Sequence, residues 1–268
     1  LLSVLLVQVD KLAFSGALPL AEFGYLAVVG FIATGLIQLS GPIGQALLPR
    51  LTALHAQGEQ AAFRIAYLEG AEAFCLMLIP LACTVALFAQ PLLAAWTGSA
   101  DAAAWGHALL FWYALGNALA ALASFHYFLQ YAHGVMRYHL WWLSLSALVQ
   151  SPVLIVLVLS GETERVAAAW FAFRLVDILL WSPWVHNRFE PGLYMAFLRR
   201  CLQPLFISLA VLIALRTMLG ELESLDRLMV LALIALAGAV AVAVCSLSSA
   251  FGRRQWASLW QWAMGARA

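Results

Sequence analysis

Residues 227–248 read RLMVLALIALAGAVAVAVCSLS. After Arg227 the run carries no charge, and it matches the roughly 20 apolar residues that a helix needs to cross a bilayer core. A strand of a membrane barrel is shorter, about ten residues, and alternates in polarity. The run does neither, so it reads as a membrane-spanning helix. Working outward from it, runs of the same kind fall at 1–16, 23–48, 69–90, 104–125, 139–160, 166–186 and 200–219. Turn residues separate them: Gly16 to Pro19, Gln57-Gly58, Thr97-Gly98, Gly134, Ser160-Gly161, Pro191-Gly192 and Gly220. The predicted fold is all-α, a polytopic integral membrane helical bundle of about eight transmembrane helices.

Composition agrees. Of 268 residues 65% are hydrophobic and 10% charged, against roughly 25% charged in a soluble domain; the mean hydropathy is +0.92. A net charge of +1 provides no basic field for nucleic acid. Cys75, Cys83, Cys201 and Cys245 all sit in apolar runs without CxxC or His/Cys metal spacing and read as packing residues; no metal or cofactor is expected. The chain opens inside a hydrophobic run, without an initiator Met, a charged leader or a small-residue cleavage site. That reads as a fragment whose N-terminal part is missing.

The arginines set an orientation. One set of connections carries Arg50, Arg64, Arg137, Arg188, Arg199, Arg200, Arg253, Arg254 and Arg267; the other carries only Arg165, Arg216 and Arg227, with most of the loop acids. The positive-inside rule then places the C-terminus in the cytoplasm. Residues 57–72 read as an amphipathic cytoplasmic helix. In the tail, Trp256, Leu259, Trp260 and Ala263 share a face that suits an interfacial helix.

Ionisable residues at membrane depth are costly and usually face a bundle interior or a wet cavity. In WFAFRLVDILLW, residues 170–181, Trp170, Arg174, Asp177 and Trp181 form an i, i+4, i+7, i+11 stripe. Arg174 lies about 12 Å into its span at 1.5 Å per residue. Either Arg174 and Asp177 neutralise each other as a structural lock, or the stripe is a cavity wall that binds a phosphate or acidic sugar. Thr34, Gln38, Gly41 and Gln45 form a second stripe beside Pro42, which invites a kink; a transport path and helix-helix hydrogen bonding both account for it. His126, Gln130, His133 and Arg137 form a third if their helix continues that far. It suits an aromatic, positive-inside boundary or the docking of an anionic headgroup. Asp10 and Lys11, adjacent in QVDKLAFSG, point about 100° apart on a helix. Lys11 shares a polar face with Gln8 and Ser15 and is a candidate for the lumen wall. Asp10 is a candidate interhelical tie or protonatable, ion-coupling site, a role open to Asp177 as well.

The order of motifs resembles a known family. QVDKLAFSG (8–16), LAEFGYLAV (20–28), GPIGQALLPRLTALHAQGE (41–59), LLAAWTG (92–98), ALGNALAAL (114–122) and LQYAHGVMRYHL (129–140) are similar, in order, to the C-terminal half of bacterial O-antigen (Wzx-like) polysaccharide flippases. These belong to the MOP superfamily, which includes the MATE exporters. The resemblance implies that residues 1–190 form a six-helix transporter lobe, its first helix truncated and its N-terminal lobe missing. It leaves 191–268 as an added transmembrane hairpin with a cytoplasmic interfacial tail. It also implies alternating access, with flipping of a lipid-linked oligosaccharide driven by an ion gradient. The partners implied are the glycan substrate, membrane lipid, a missing lobe or second copy, and the glycan polymerase machinery. Asp10-Lys11 matches an acid-base pair in the first helix of the family's second lobe, and Arg50 matches a cytoplasmic helix end. Arg174 and Asp177 match no family motif.

Two other classes compete. A MATE-type exporter of cationic drugs favours acidic cavity residues, whereas the embedded charges here are balanced. An inactive membrane scaffold is open to a half-transporter. An integral-membrane enzyme needs large loops with catalytic clusters, and no such loop is present, so no catalytic residue is expected.

Overall fold

The computed structural model describes residues 12–220, 222 and 225–265. Among them the fold is all-α: α1 (Leu20–Gln38), α2 (Ser40–Ala56), α3 (Gln60–Leu87), α4 (Ala89–Thr97), α5 (Ala100–Ala132), α6 (Arg137–Leu159), α7 (Thr163–Val176), a π-helical turn (Asp177–Trp181), α8 (Ser182–Phe189), α9 (Leu193–Leu219), α10 (Arg227–Ser248) and α11 (Ala250–Gly265). Counting α1–α2 and α7–α8 as single broken spans, seven helices are long and apolar enough to cross a membrane. This is a multi-pass membrane protein. Most of the predicted first segment, with Asp10 and Lys11, lies outside the described residues.

The turns fall where the glycines placed them. Gly58, Gly98, Gly134, Gly161, Gly192 and Gly220 all have positive φ, a conformation that costs glycine nothing and L side chains more. At the end of α5, Gly134 N–H donates to Tyr131 O and Val135 N–H to Gln130 O, each at 2.9 Å, and so close the last turn. The helix therefore stops at Ala132, and Arg137 opens the next one. The predicted His126–Arg137 stripe does not exist as one helical face.

Two further expectations are corrected. Residues 57–72 lead into the third span as expected, but their inner face is not a surface. From Gln60 onward they are the first turns of α3, and Phe63, Ala66, Tyr67, Ala71 and Glu72 are buried. Glu59 and Gln60 are exposed, whereas Tyr67 and Glu72 pair with other helices. Tyr67 Oη is 2.8 Å from His186 Nε2, and Glu72 meets Arg200 and accepts from Ser249 Oγ at 2.5 Å. The 23–48 run is interrupted at Leu39. Pro42, in the first turn of α2, has no N–H for the Gln38 carbonyl four residues back, so the helix breaks before it. Ser40 Oγ donates to Ile37 O beside the break at 2.7 Å.

α5 is the central post. On one side, α1, α4 and α7 bury Val29, Leu93 and Trp170 in a cluster with its Leu110. On the other, α2, α3, α8, α9 and α10 share a core that includes Phe74, Phe125, Phe197 and Ile234. The hairpin α9–α10 thus packs into the core of the preceding helices, chiefly along α3. Lipid tails are as apolar as leucine, so close packing rather than water expulsion holds such helices together, and small residues admit it. At Gly116 of α5 an added Cβ would lie 2.6 Å from Trp170 Cδ1 and 3.2 Å from the Phe171 backbone. We therefore expect Gly116→Ala to destabilise the folded chain by about 1–3 kcal/mol, the usual cost of overpacking. A lower thermal midpoint in detergent would record it.

Candidate functional site

The buried ion pair lies where the sequence placed it. Arg174 Nη1 is 2.6 Å from Asp177 Oδ2, and the two side chains are 14% and 4% exposed. Neighbouring helices supply further partners, while Arg174 Nε is buried without a hydrogen bond among the described residues. Arg174 Nη2 donates to Gln150 Oε1 at 2.5 Å and Trp142 Nε1 donates to Asp177 Oδ1 at 2.5 Å, both from α6. The guanidinium carbon sits 4.7 Å over the Trp170 ring. Trp170 Nε1 donates in turn to Asn117 Oδ1 of α5 at 2.9 Å. Of the two readings of this stripe, the geometry is that of a lock: α5, α6 and α7 meet at one neutralised pair.

Trp181 does not belong to that stripe. In the π-helical turn Ser182 N–H bonds Asp177 O, five residues back, which inserts a residue and changes the facing of the helix beyond it. Tyr194 Oη takes up the Ile178 carbonyl at 2.7 Å. Trp181 is thereby turned into an aromatic ladder, with its ring 4.7 Å from Trp142 at 2° and 4.8 Å from Trp184 at 17°. Tyr138 meets Trp184 edge-on at 5.1 Å. The periodicity of residues 170–181 does not reveal this, because a π turn carries no composition signal.

Around the break at Leu39 the polar stripe lines two open grooves. Thr34 and Gln38 face a groove of about 800 Å³ walled by Phe23, Leu26, Phe31 and Trp96. Gly41 and Gln45 face one of about 890 Å³ with Ser40, Thr52, Ser124 and Tyr131. Among the described residues no charged side chain lines either. Both volumes are of ligand-site size.

His133 and Arg137 part company. His133 is 4.1 Å, ring to ring, from His55 of α2, and its Nε2 is 3.8 Å from Glu190 Oε1. Glu190, 2% exposed, also takes Arg64 Nη1 at 3.0 Å and Gln60 Nε2 at 3.4 Å. This carboxylate knot joins the ends of α3, α5 and α8. Sequence reasoning missed it, because Glu190 stands beside a Pro-Gly turn and reads as a loop acid. Arg137 instead donates to Tyr138 Oη at 2.8 Å.

Comparison with known families finds no matching family model, and comparison with characterised proteins finds no matching sequence.

Two measurements test this geometry. Asp177→Leu alone strands Arg174 at depth, where a lone charge costs at least about 2.5–3.5 kcal/mol. The double change Arg174→Leu with Asp177→Leu removes both charges, and apolar replacement of a buried pair is often neutral. The single variant should lose folded yield and thermal midpoint, and the double variant should regain most of both.

The second concerns pH. Burial, then the neighbouring His55, lowers the His133 pKa below its ordinary 6.5, against the raising effects of the Leu129 carbonyl and Glu190. The unfolded chain therefore takes the proton first. The contribution of neutral His133 is complete above about pH 6.5 and is lost as pH falls through that value toward the folded pKa. Thermal midpoints should hold from pH 8 to 7 and fall from pH 6.5 to 5, and His133→Gln should flatten that fall.

Proposed function

We propose that this chain is one lobe of a transporter that flips a lipid-linked oligosaccharide across a bacterial inner membrane. The second wall of the path comes from another lobe or a second copy, since a single lobe does not enclose a path. In this reading the C-terminus is cytoplasmic. The observation that carries the proposal is the pair of uncharged grooves flanking the break at Leu39. The groove beside α1 is almost wholly apolar and suits a polyprenyl chain. The groove beside α2 presents an amide, hydroxyls and the rings of Tyr127 and Tyr131, which suit sugar faces and edges. The ordered motifs from 8 to 140 support the same reading. A cation exporter calls for acidic groups along the path, and among the described residues these grooves offer none.

The test is made at the native locus, with surface glycan as the readout. Gln38→Leu combined with Gln45→Leu should cut display at least tenfold with membrane levels of the protein unchanged. Arg174→Leu with Asp177→Leu, which alters the lock and not the grooves, should leave display near wild type. Full display from the glutamine double variant would overturn the proposal.

A further inference from the structure

The aromatic ladder ends at the surface in an arrangement that neither the ion pair nor the grooves explain. Arg137 opens α6 and Arg188 lies in the last turn of α8. These two ends share one side of the bundle, because α6 starts where α8 finishes. Arg137 Nη2 donates to Tyr138 Oη at 2.8 Å, and the Tyr138 ring lies 6.2 Å from that of Phe189, the residue that follows Arg188. Two guanidiniums are thus brought to the surroundings of one tyrosine. Among the described residues neither is paired with a carboxylate, although Arg64, Arg165, Arg174, Arg200 and Arg254 all are. Each guanidinium has five N–H donors in a planar fork, so most of their donors are left for a ligand.

We infer that Arg137, Arg188 and Tyr138 form a binding site for the phosphate of a lipid headgroup that carries net negative charge. Like charges held together cost energy unless an anion lies between them, and paired guanidiniums match phosphate oxygens in geometry and charge. The site also has a floor that suits a lipid. Trp141 and Trp184, one turn deeper on each helix, are 59% and 44% exposed. They offer ring surface at the depth of the glycerol backbone or first isoprene units, the zone that indoles favour. That floor is rigid. Trp184 stacks on Trp181, Trp181 on Trp142, and Trp142 Nε1 is fixed on Asp177 Oδ1. The ion pair in the bundle interior therefore positions a surface site several residues away through three stacked indoles. A resident anionic phospholipid and a lipid-linked diphosphate both carry such a phosphate, and the inference holds whether or not the lobe moves glycans.

Native mass spectrometry of the full chain, released from detergent after titration with one lipid at a time, tests it. The lipids are phosphatidylglycerol, phosphatidylcholine and a polyprenyl diphosphate. The wild-type chain should retain at least one of the two anionic lipids more than phosphatidylcholine. Preference for the diphosphate identifies the lipid carrier as occupant, and equal retention of both anionic lipids identifies a general phosphate site. Arg137→Gln with Arg188→Gln should weaken anionic retention at least tenfold. Tyr138→Phe keeps the ring and should weaken it severalfold by freeing the Arg137 fork. Arg137→Lys with Arg188→Lys should recover only part, because charge returns without the fork. Arg137 and Arg188 are exposed and Tyr138 is half-buried, and an unchanged thermal midpoint checks folding in each variant. Equal retention of phosphatidylcholine and both anionic lipids by the wild type, or undiminished anionic retention in the glutamine double variant, would overturn the site.

Discussion

Arg174 and Asp177 lie one turn apart on a helix in the middle of an apolar bundle, and their contact fixes much of what surrounds it. Hydrocarbon neither hydrates a charge nor supplies a hydrogen bond, so the pair needs partners from other helices. Gln150 and Trp142 bring in α6, and the Trp170 ring under the guanidinium brings in α5 through Asn117. Three spans are thereby held in rotation as well as in contact. Apolar packing alone sets rotation weakly, because one leucine face resembles another. A directional contact removes that freedom.

The same logic recurs at other levels of the bundle. Glu190 gathers Arg64, Gln60 and His133 where α3, α5 and α8 end. Glu72 gathers Arg200 and Ser249 where α3 meets α9 and the start of α11. At the opposite end Arg227 donates to the carbonyls of Ala95 and Trp96, which closes α4 against α10. The polar contacts thus choose which helices are neighbours, and small residues such as Gly44, Gly70, Gly106 and Gly116 let them approach.

Fold class was fully legible in the sequence, because runs of apolar residues and positive-φ glycines both reflect the membrane as solvent. The Arg174–Asp177 contact was legible too, since i, i+3 spacing on a helix leaves two long side chains no distance to cover. What stayed hidden was partnership at long range. Glu72 and Arg64 read as the polar face of a surface helix because their partners, Arg200 and Glu190, lie more than a hundred residues away in the chain. The His126–Arg137 stripe failed for a local reason, the end of α5 before Gly134. The grooves beside Gln38 and Gln45 were half legible. The stripe and the break could be read, but the space they face depends on where Trp96 and Tyr131 are carried by other helices.

The π turn at Asp177–Trp181 holds one residue more than a regular helix would use. In a regular helix an extra residue would advance everything after it by about 100°, and the wider π turn absorbs that advance. Trp184 and Glu190 both lie downstream, and each meets its partner in the phase that the absorbed residue sets. Length in this segment is therefore information in its own right. A deletion of a single residue between 177 and 181 that let the turn close as regular α-helix would keep α8 on the aromatic ladder and the carboxylate knot. A change that straightened the turn without shortening it would rotate α8 away from both.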